Sequence, residues 1–219
     1  SPATGENPEP HPVHHHIGDP AAGDCHRRGA PREQGVVDFW QGKTVCVTGG
    51  SGSFGRAFVR AILAEDVQQV RSLSRGEGLR RALERDVRDP RLVVCEGDVR
   101  IRDSLLPLFS GVDVVIHAAA LKDIPLVERN PWSAVETNVI GAHNVVEAAI
   151  ACGVSRVVGL STDKSSAAAT AYGGSKFVME RLFVAANLDP RACGKTTLVC
   201  TRYGNVAYSS GSLMPKIIA

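Results

Sequence analysis

The stretch "LSTDKSSAAATAYGGSK", Leu160 to Lys176, concentrates residues that can move protons. Tyr172 and Lys176 stand one helical turn apart, so their side chains can share a face. A phenol titrates near about 10 and is a poor base at neutral pH. A neighbouring ammonium lowers that value, and so does the positive ring of an oxidised nicotinamide. Tyr172 could then take a proton from a hydroxyl while hydride leaves the same carbon. Asp163 and Lys164 add an adjacent acid and base upstream. Y-x-x-x-K alone is common by chance. It becomes specific when it follows a strand and lies downstream of a glycine-rich turn.

Such a turn exists. "TGGSGSFG" spaces Gly49, Gly52 and Gly55 as G-x-x-G-x-x-G between an apolar run and a helical pattern. Glycines there permit a tight bend and close backbone approach to a pyrophosphate, and the following helix N-terminus offers free N–H groups. With 22 glycines in the chain, chance matches occur, so the strand–turn–helix setting carries the weight. Farther on, Ser74 and Arg75 end a second apolar run. A carboxylate there would accept from the ribose hydroxyls of NAD. Ser and Arg instead suit the extra phosphate of NADP, although Glu77 is near enough to blur the distinction. Asp98 and Val99 can grip an adenine, or Asp98 can cap the next helix. "HAAA" brings small residues to a strand end, where a cofactor can approach. His117 alone reads as an interior histidine.

These residues need a scaffold that brings strand ends together. "KTVCVTGG", "QVRSLSR", "RLVVCEGDV", "VDVVIHAAA", "SRVVGLST" and "TTLVCTRYG" read as six strands. Helical spacing fills the gaps: 53–65, "EGLRRALERDV", 101–109, 132–151 behind Pro131 and ahead of Gly153, and 171–187. The alternation predicts an α/β fold, a Rossmann-type doubly wound parallel sheet, in which ligands bind at the carboxyl ends of the strands. The polar motifs all fall at those ends.

The chain has 25 basic and 23 acidic residues, net +2, which gives no reason to invoke nucleic acid or a membrane as partner. No apolar run approaches the ~20 residues of a membrane span. The six cysteines form no C-x-x-C pair, and Cys46, Cys95 and Cys200 sit in strand-like runs, so a reduced cytoplasmic protein is expected. Residues 1–37 are rich in Pro, Gly, His and charge and read as a disordered tail, with the fold over 38–219. The tract "HPVHHH" could bind a metal adventitiously; no other metal site is expected.

Taken together, "TGGSGSFG", "SRGE", "GDVR", "HAAALKDIPLVERNP", "TNVIGAHNVVEAA", "LSTDK", "YGGSK" and "RYGNV" resemble the extended short-chain dehydrogenase/reductase superfamily. Within it they resemble the inverting UDP-N-acetylglucosamine 4,6-dehydratases of the polysaccharide-biosynthesis group, over about Lys43 to Pro215. The resemblance implies a recycled NADP, rather than NAD, held by Gly49, Gly52, Ser53, Phe54, Gly55, Ser74, Arg75, Asp98, Val99, Ala118, Ala119, Tyr172 and Lys176. It implies that Tyr172 deprotonates the C4 hydroxyl of a UDP-sugar, that Lys164 removes the C5 proton, and that Asp163 protonates the departing C6 hydroxyl. Lys122, Thr162 and Asn205 would touch the substrate, and Asn138 would be structural. Retaining dehydratases often carry Asp–Glu at 163–164, and a membrane-anchored branch carries Met at 172. The Lys and Tyr here therefore point to the inverting, non-anchored branch. A homo-oligomer is expected of the full-length protein.

The sequence also departs from that pattern. The loop "SSAAATA" stands where the family usually has Pro and Asn, and Ser210 where it has Arg. The family continues into a smaller C-terminal substrate domain that is expected to be largely absent from a chain ending at Ala219. Two further readings follow from the same residues. A UDP-sugar 4-epimerase shares the Tyr–Lys chemistry but needs no Asp–Lys pair. A truncated, non-catalytic NADP-binding module needs neither.

Overall fold

The apolar runs at the sheet centre fold as strands buried on both faces, and those at its edges are only partly covered. The computed structural model describes residues 39–204. The expected tail, Asn205 and Ser210 lie outside the described residues. The strands are β1 (Thr44–Thr48), β2 (Gln69–Ser74), β3 (Leu92–Glu96), β4 (Val114–His117), β5 (Arg156–Leu160) and β6 (Thr197–Thr201). They form one 6-stranded parallel sheet in the order β3-β2-β1-β4-β5-β6. After β3 the chain returns to the sheet centre and lays β4 beside β1, opening a crevice at their carboxyl ends.

β1 is buried along its whole length. Alternate residues serve opposite layers: Val45 and Val47 pack with Val59, Ile62 and Leu83, while Cys46 packs with Phe109, Val145, Met179 and Phe183. Burying each such aliphatic side chain stabilises the fold by about 1.5–3 kcal/mol. The first layer is closed by α1 (Ser53–Leu63) and α2 (Glu77–Asp86). The second is closed by helices that follow β3, β4 and β5, as a doubly wound sheet requires.

On that second side the expected helices are more broken than their periodicity suggested. The single helix expected over 101–109 is a 3-10 turn at Arg102–Ser104 followed by the short α3 (Leu106–Phe109), with Pro107 in its first turn. A proline lacks the N–H that a continuous helix would use. A short helix not anticipated from the sequence, α4 (Ile124–Arg129), follows β4; Asp123 caps it by accepting from Leu126 N at 3.0 Å. The long helix expected over 132–151 is three pieces: α5 (Pro131–Ala134), a π-helical segment (Val135–Ile140) and α6 (Gly141–Cys152). The wide turn is visible where Gly141 N donates to Glu136 O. Gly153 then ends α6 in the left-handed region, φ 69°, as its sequence position led one to expect. The last helix, α7 (Ala171–Ala186), carries Tyr172 and Lys176.

Among the described residues no helix is long and apolar enough to cross a membrane.

Candidate functional site

The glycine-rich turn is shaped by its neighbours. Gly49 N donates to Leu73 O at 2.7 Å, tying the end of β1 to β2, and Gly52 N donates to Gly49 O at 2.9 Å. Gly49 has φ +71°, and a Cβ there would lie 2.8 Å from the backbone N and Cα of Ala119. A Cβ on Gly55 would run into the Gly49 carbonyl and the Gly50 Cα. Both glycines are therefore imposed by close backbone approach. Gly52 precedes α1 with no side-chain cap, and the first turn of α1 holds no acidic residue. Its amides face an anion without a competing carboxylate.

A cleft of ≈ 290 Å³ opens over this turn. Gly49, Gly52, Ser53, Phe54 and Gly55 line it from the turn, and Ser74 and Arg75 from the end of β2. Val99, Ala118, Ala119 and Lys122 line the opposite wall, and Tyr172 and Lys176 close the far end. Asp98 is not part of the lining. Its carboxylate is held by Arg100 at 2.6 Å, caps Arg100 N at 3.0 Å and lies 3.9 Å from Arg75. Asp98 therefore neither lines the cleft nor caps the next helical turn, whose N-cap is Ile101 with no side-chain cap. At the mouth, Ser51 and Ser74 share a hydroxyl contact of 2.6 Å. Arg80 braces the β2 end by donating to Ser74 O at 3.1 Å and Arg75 O at 2.7 Å, and leaves the Arg75 side chain about half exposed.

Beneath the cleft His117 is fully buried, with Nδ1 2.8 Å from Thr48 Oγ1 and the ring stacked on Phe183. Burial, with a contribution from Lys176, pushes its pKa down to about 3, so it is a neutral interior histidine. Its Nε2 has no hydrogen-bond partner among the described residues.

Tyr172 links two centres. It lines the cleft, and Thr162 acts on its phenol. Thr162 Oγ1 donates to Asp163 Oδ1 at 2.9 Å, and Lys164 Nζ reaches the same oxygen at 3.1 Å. Tyr172 thus neighbours a hydrogen-bonded run of Thr162, Asp163 and Lys164. Lys164 holds Asp163 below the usual carboxylate range. The Tyr172 phenol differs from the simple expectation. Burial pushes it up, Tyr203 and Asp163 add to that, and only the Thr162 hydrogen bond opposes them. The Lys176 ammonium does not offset this; its Nζ donates to Met179 Sδ at 3.1 Å. Burial lowers Lys176 to about 8.

Two contributors, Tyr203 and Glu180, were not singled out from the sequence, whereas Asn138 was expected to be structural. Tyr203 lines the cleft and stacks on Phe54 at 6.2 Å; its position in "RYGNV" was the available signal. Asn138 is buried in the π-helical segment, where its side chain accepts from Leu121 N at 2.8 Å and donates to Leu121 O and Ser175 Oγ at 2.9 Å each. It clamps the loop carrying Lys122 to the helix carrying Tyr172. Glu180, on the same α7 face as Tyr172 and Lys176, is buried and bound by Ser161, Ser165 and Arg202.

Chiefly through Arg202, Glu180 is lowered from 4.5 to about 2. A depressed carboxylate contributes stability that is complete above pH 4.5 and is lost as pH falls through about 2. Allowing for solvent screening at the half-exposed Arg202, the contribution is on the order of 2 kcal/mol. Urea unfolding followed from about pH 5 downward should therefore fall more steeply for the native chain than for Glu180→Gln. Parallel curves would contradict this.

A parallel sheet of this order, a glycine-rich turn after β1 and a Tyr–Lys pair on the helix after β5 define the extended short-chain dehydrogenase/reductase superfamily. Residues 45–219 match the model of the polysaccharide biosynthesis protein family, and the chain belongs to that family. It is 43% identical over 180 residues to a UDP-glucose 4-epimerase of Rickettsia felis, covering 80% of this chain and 52% of the relative. Among solved structures, Pen from Bacillus thuringiensis matches with TM-score 0.78 and 34% identity, over 81% of this chain and 56% of that one. DesIV from Streptomyces venezuelae, a dTDP-glucose 4,6-dehydratase determined with NAD bound, matches with TM-score 0.63 and 29% identity, over 73% of this chain and 55% of that one. The chain spans about half the length of the proteins it matches.

Proposed function

We propose that this chain is the cofactor-binding portion of an NADP-dependent, C5-inverting sugar-nucleotide 4,6-dehydratase acting on UDP-N-acetylglucosamine. The observation that carries the reading is that Tyr172, on the cleft wall, neighbours Thr162, whose hydroxyl binds Asp163 of the Asp163–Lys164 pair, so a redox base stands beside an acid–base pair. The residues fit a dinucleotide. The cradle at Gly49 and Gly55 has no room for a Cβ, and the α1 amides suit its diphosphate. Lys176 and Tyr172 would flank the nicotinamide ribose, and Ser74 and Arg75 the adenine ribose. The nicotinamide supplies a reversible hydride acceptor.

Tyr172 takes the C4 hydroxyl proton, and the resulting ketone acidifies C5–H. Asp163 and Lys164 rest as an ion pair at 3.1 Å. Elimination needs a neutral amine and a neutral acid, which one proton shift along that contact provides. Covering the pair with substrate removes water and disfavours the charged form. Lys164 then accepts the C5 proton and Asp163 gives its proton to the C6 hydroxyl, which leaves as water. Return of the hydride to C6 and of a solvent proton to the opposite face of C5 would complete a net dehydration with inversion at C5 and the cofactor restored.

Incubation with UDP-N-acetylglucosamine and NADP, followed by NMR, tests this. A 4-keto-6-deoxy sugar is expected. A 4-epimer without water loss would establish the second reading, a UDP-sugar 4-epimerase, which the 43% identity to such a relative favours. Cofactor binding without product would indicate the binding module.

Arg75 supports NADP over NAD because its half-exposed guanidinium faces the cleft mouth. A charge-assisted hydrogen bond contributes about 1.5–3 kcal/mol, so Arg75→Ala should weaken NADPH binding by about 10- to 100-fold and leave NADH unchanged. Fluorescence titration checks it. Tighter NADH than NADPH binding by the native chain would overturn the assignment.

A further inference from the structure

We propose that Glu180 is a positioning residue, a single carboxylate that fixes the three segments of the candidate site relative to one another. The inference rests on the reading of Tyr172, Lys176, Asp163 and Lys164 given above. Glu180 lies on α7, one turn beyond Lys176 and two beyond Tyr172, so it shares their face. It is 7% exposed. One oxygen accepts from Ser161 Oγ and, at 2.7 Å, from Ser165 Oγ. Those serines are buried and bracket the Thr162–Lys164 turn on both sides. Arg202 closes the other side with a forked contact, Nε to one oxygen at 2.8 Å and Nη2 to the other at 2.6 Å.

Arg202 directly precedes Tyr203, which lines the cleft, and Tyr203 O accepts from Asp163 N at 3.1 Å. Ser161 N donates to Thr201 O at 2.7 Å, so the β5 and β6 ends are laced together around the same carboxylate. The helix with the redox pair, the turn with the elimination pair and the loop after β6 therefore meet at Glu180. No other described carboxylate contacts all three. The bonds of Glu180 itself stop short of the glycine-rich turn that would hold the dinucleotide; only the Tyr203 ring, stacked on Phe54 at 6.2 Å, touches it. Glu180 sets the height of the Asp163–Lys164 turn over Tyr172 and leaves cofactor affinity alone.

The test is Glu180→Gln, with hydrogen exchange read by mass spectrometry on the ligand-free chain. Glutamine keeps the size but cannot accept from two serines and a guanidinium fork together. Exchange across 161–166 and at 203–204 should quicken by at least about tenfold more than in β1 and the body of α7, which share only the general loss of stability. NADPH affinity should stay within about twofold. In the assay above, kcat should fall about 100-fold at nearly constant KM, because a misplaced acid–base pair slows chemistry more than binding. Unchanged exchange at 161–166 would overturn the proposal. So would exchange rising throughout α7 together with loss of cofactor, since that describes a stability residue. If Glu180→Gln does not fold, Ser165→Ala removes one arm and should loosen 161–166 alone. A native chain that never forms product sinks the dehydratase reading, while the exchange data still decide the role of Glu180.

Discussion

Tyr172→Phe should bind NADPH as the native chain does and lose between about 100- and 10,000-fold in the first, redox step, the range spanned by positioned general bases. The substitution removes one oxygen and keeps the ring. The ring's place is fixed independently of the hydroxyl. Thr170 caps α7 by accepting from Gly173 N at 3.0 Å, and Ala171 N donates to Glu128 at 2.7 Å. What is lost is the proton acceptor beside Thr162. Because burial raises the Tyr172 pKa, the tyrosinate is a minor form at neutral pH, and activity limited by it rises with pH. A bound oxidised nicotinamide brings that rise toward neutrality. Stopped-flow absorbance at the NADPH band, taken across alkaline pH, checks both points. The native rate should climb and the Phe variant should stay flat. A Phe variant with the native rate would remove Tyr172 from the mechanism.

Gly49→Ala should abolish cofactor binding at concentrations that saturate the native chain. Two penalties act together. At φ +71° an L-residue is strained, costing about 1–2 kcal/mol. The new methyl would also lie 2.8 Å from the Ala119 backbone, and overpacking of that kind costs about 1–3 kcal/mol. Relief requires β1 and β4 to part at their carboxyl ends, where the diphosphate would sit. Gly153→Ala is the control. Its φ is +69° but a Cβ there meets nothing within 4 Å, so it carries the strain and not the collision. It should lower the thermal midpoint modestly and leave cofactor affinity intact. Equal loss of binding in the two variants would show that the close approach at Gly49 is unimportant.

The sheet was legible because parallel strands covered on both faces are continuous apolar runs, and six of them punctuated by helices leave few topologies. The glycine cradle was legible for a related reason: a backbone with no room for Cβ writes glycine into the sequence. Residues whose roles depend on distant partners were not. Glu180 sits 22 residues from Arg202, and no local pattern announces that pairing. Asn138 was placed only through the family resemblance: it meets Leu121 across 17 residues, and a polar residue within a helical run ordinarily faces water. For Asp98 two local roles were compatible with its position, and its carboxylate turns instead to Arg100.

The π-helical segment can be viewed as an α-helix that has accepted one surplus residue between Val135 and Ile140. Deleting one residue there would restore the regular ladder and turn Asn138 by about 100° relative to the helix that follows. The shortened helix would be locally more regular, and the loop bearing Lys122 would lose its clamp on Ser175. The surplus residue is therefore what lets one buried amide hold a cleft-wall loop to the helix bearing Tyr172, and the shortened variant should lose stability as well as the placement of Lys122.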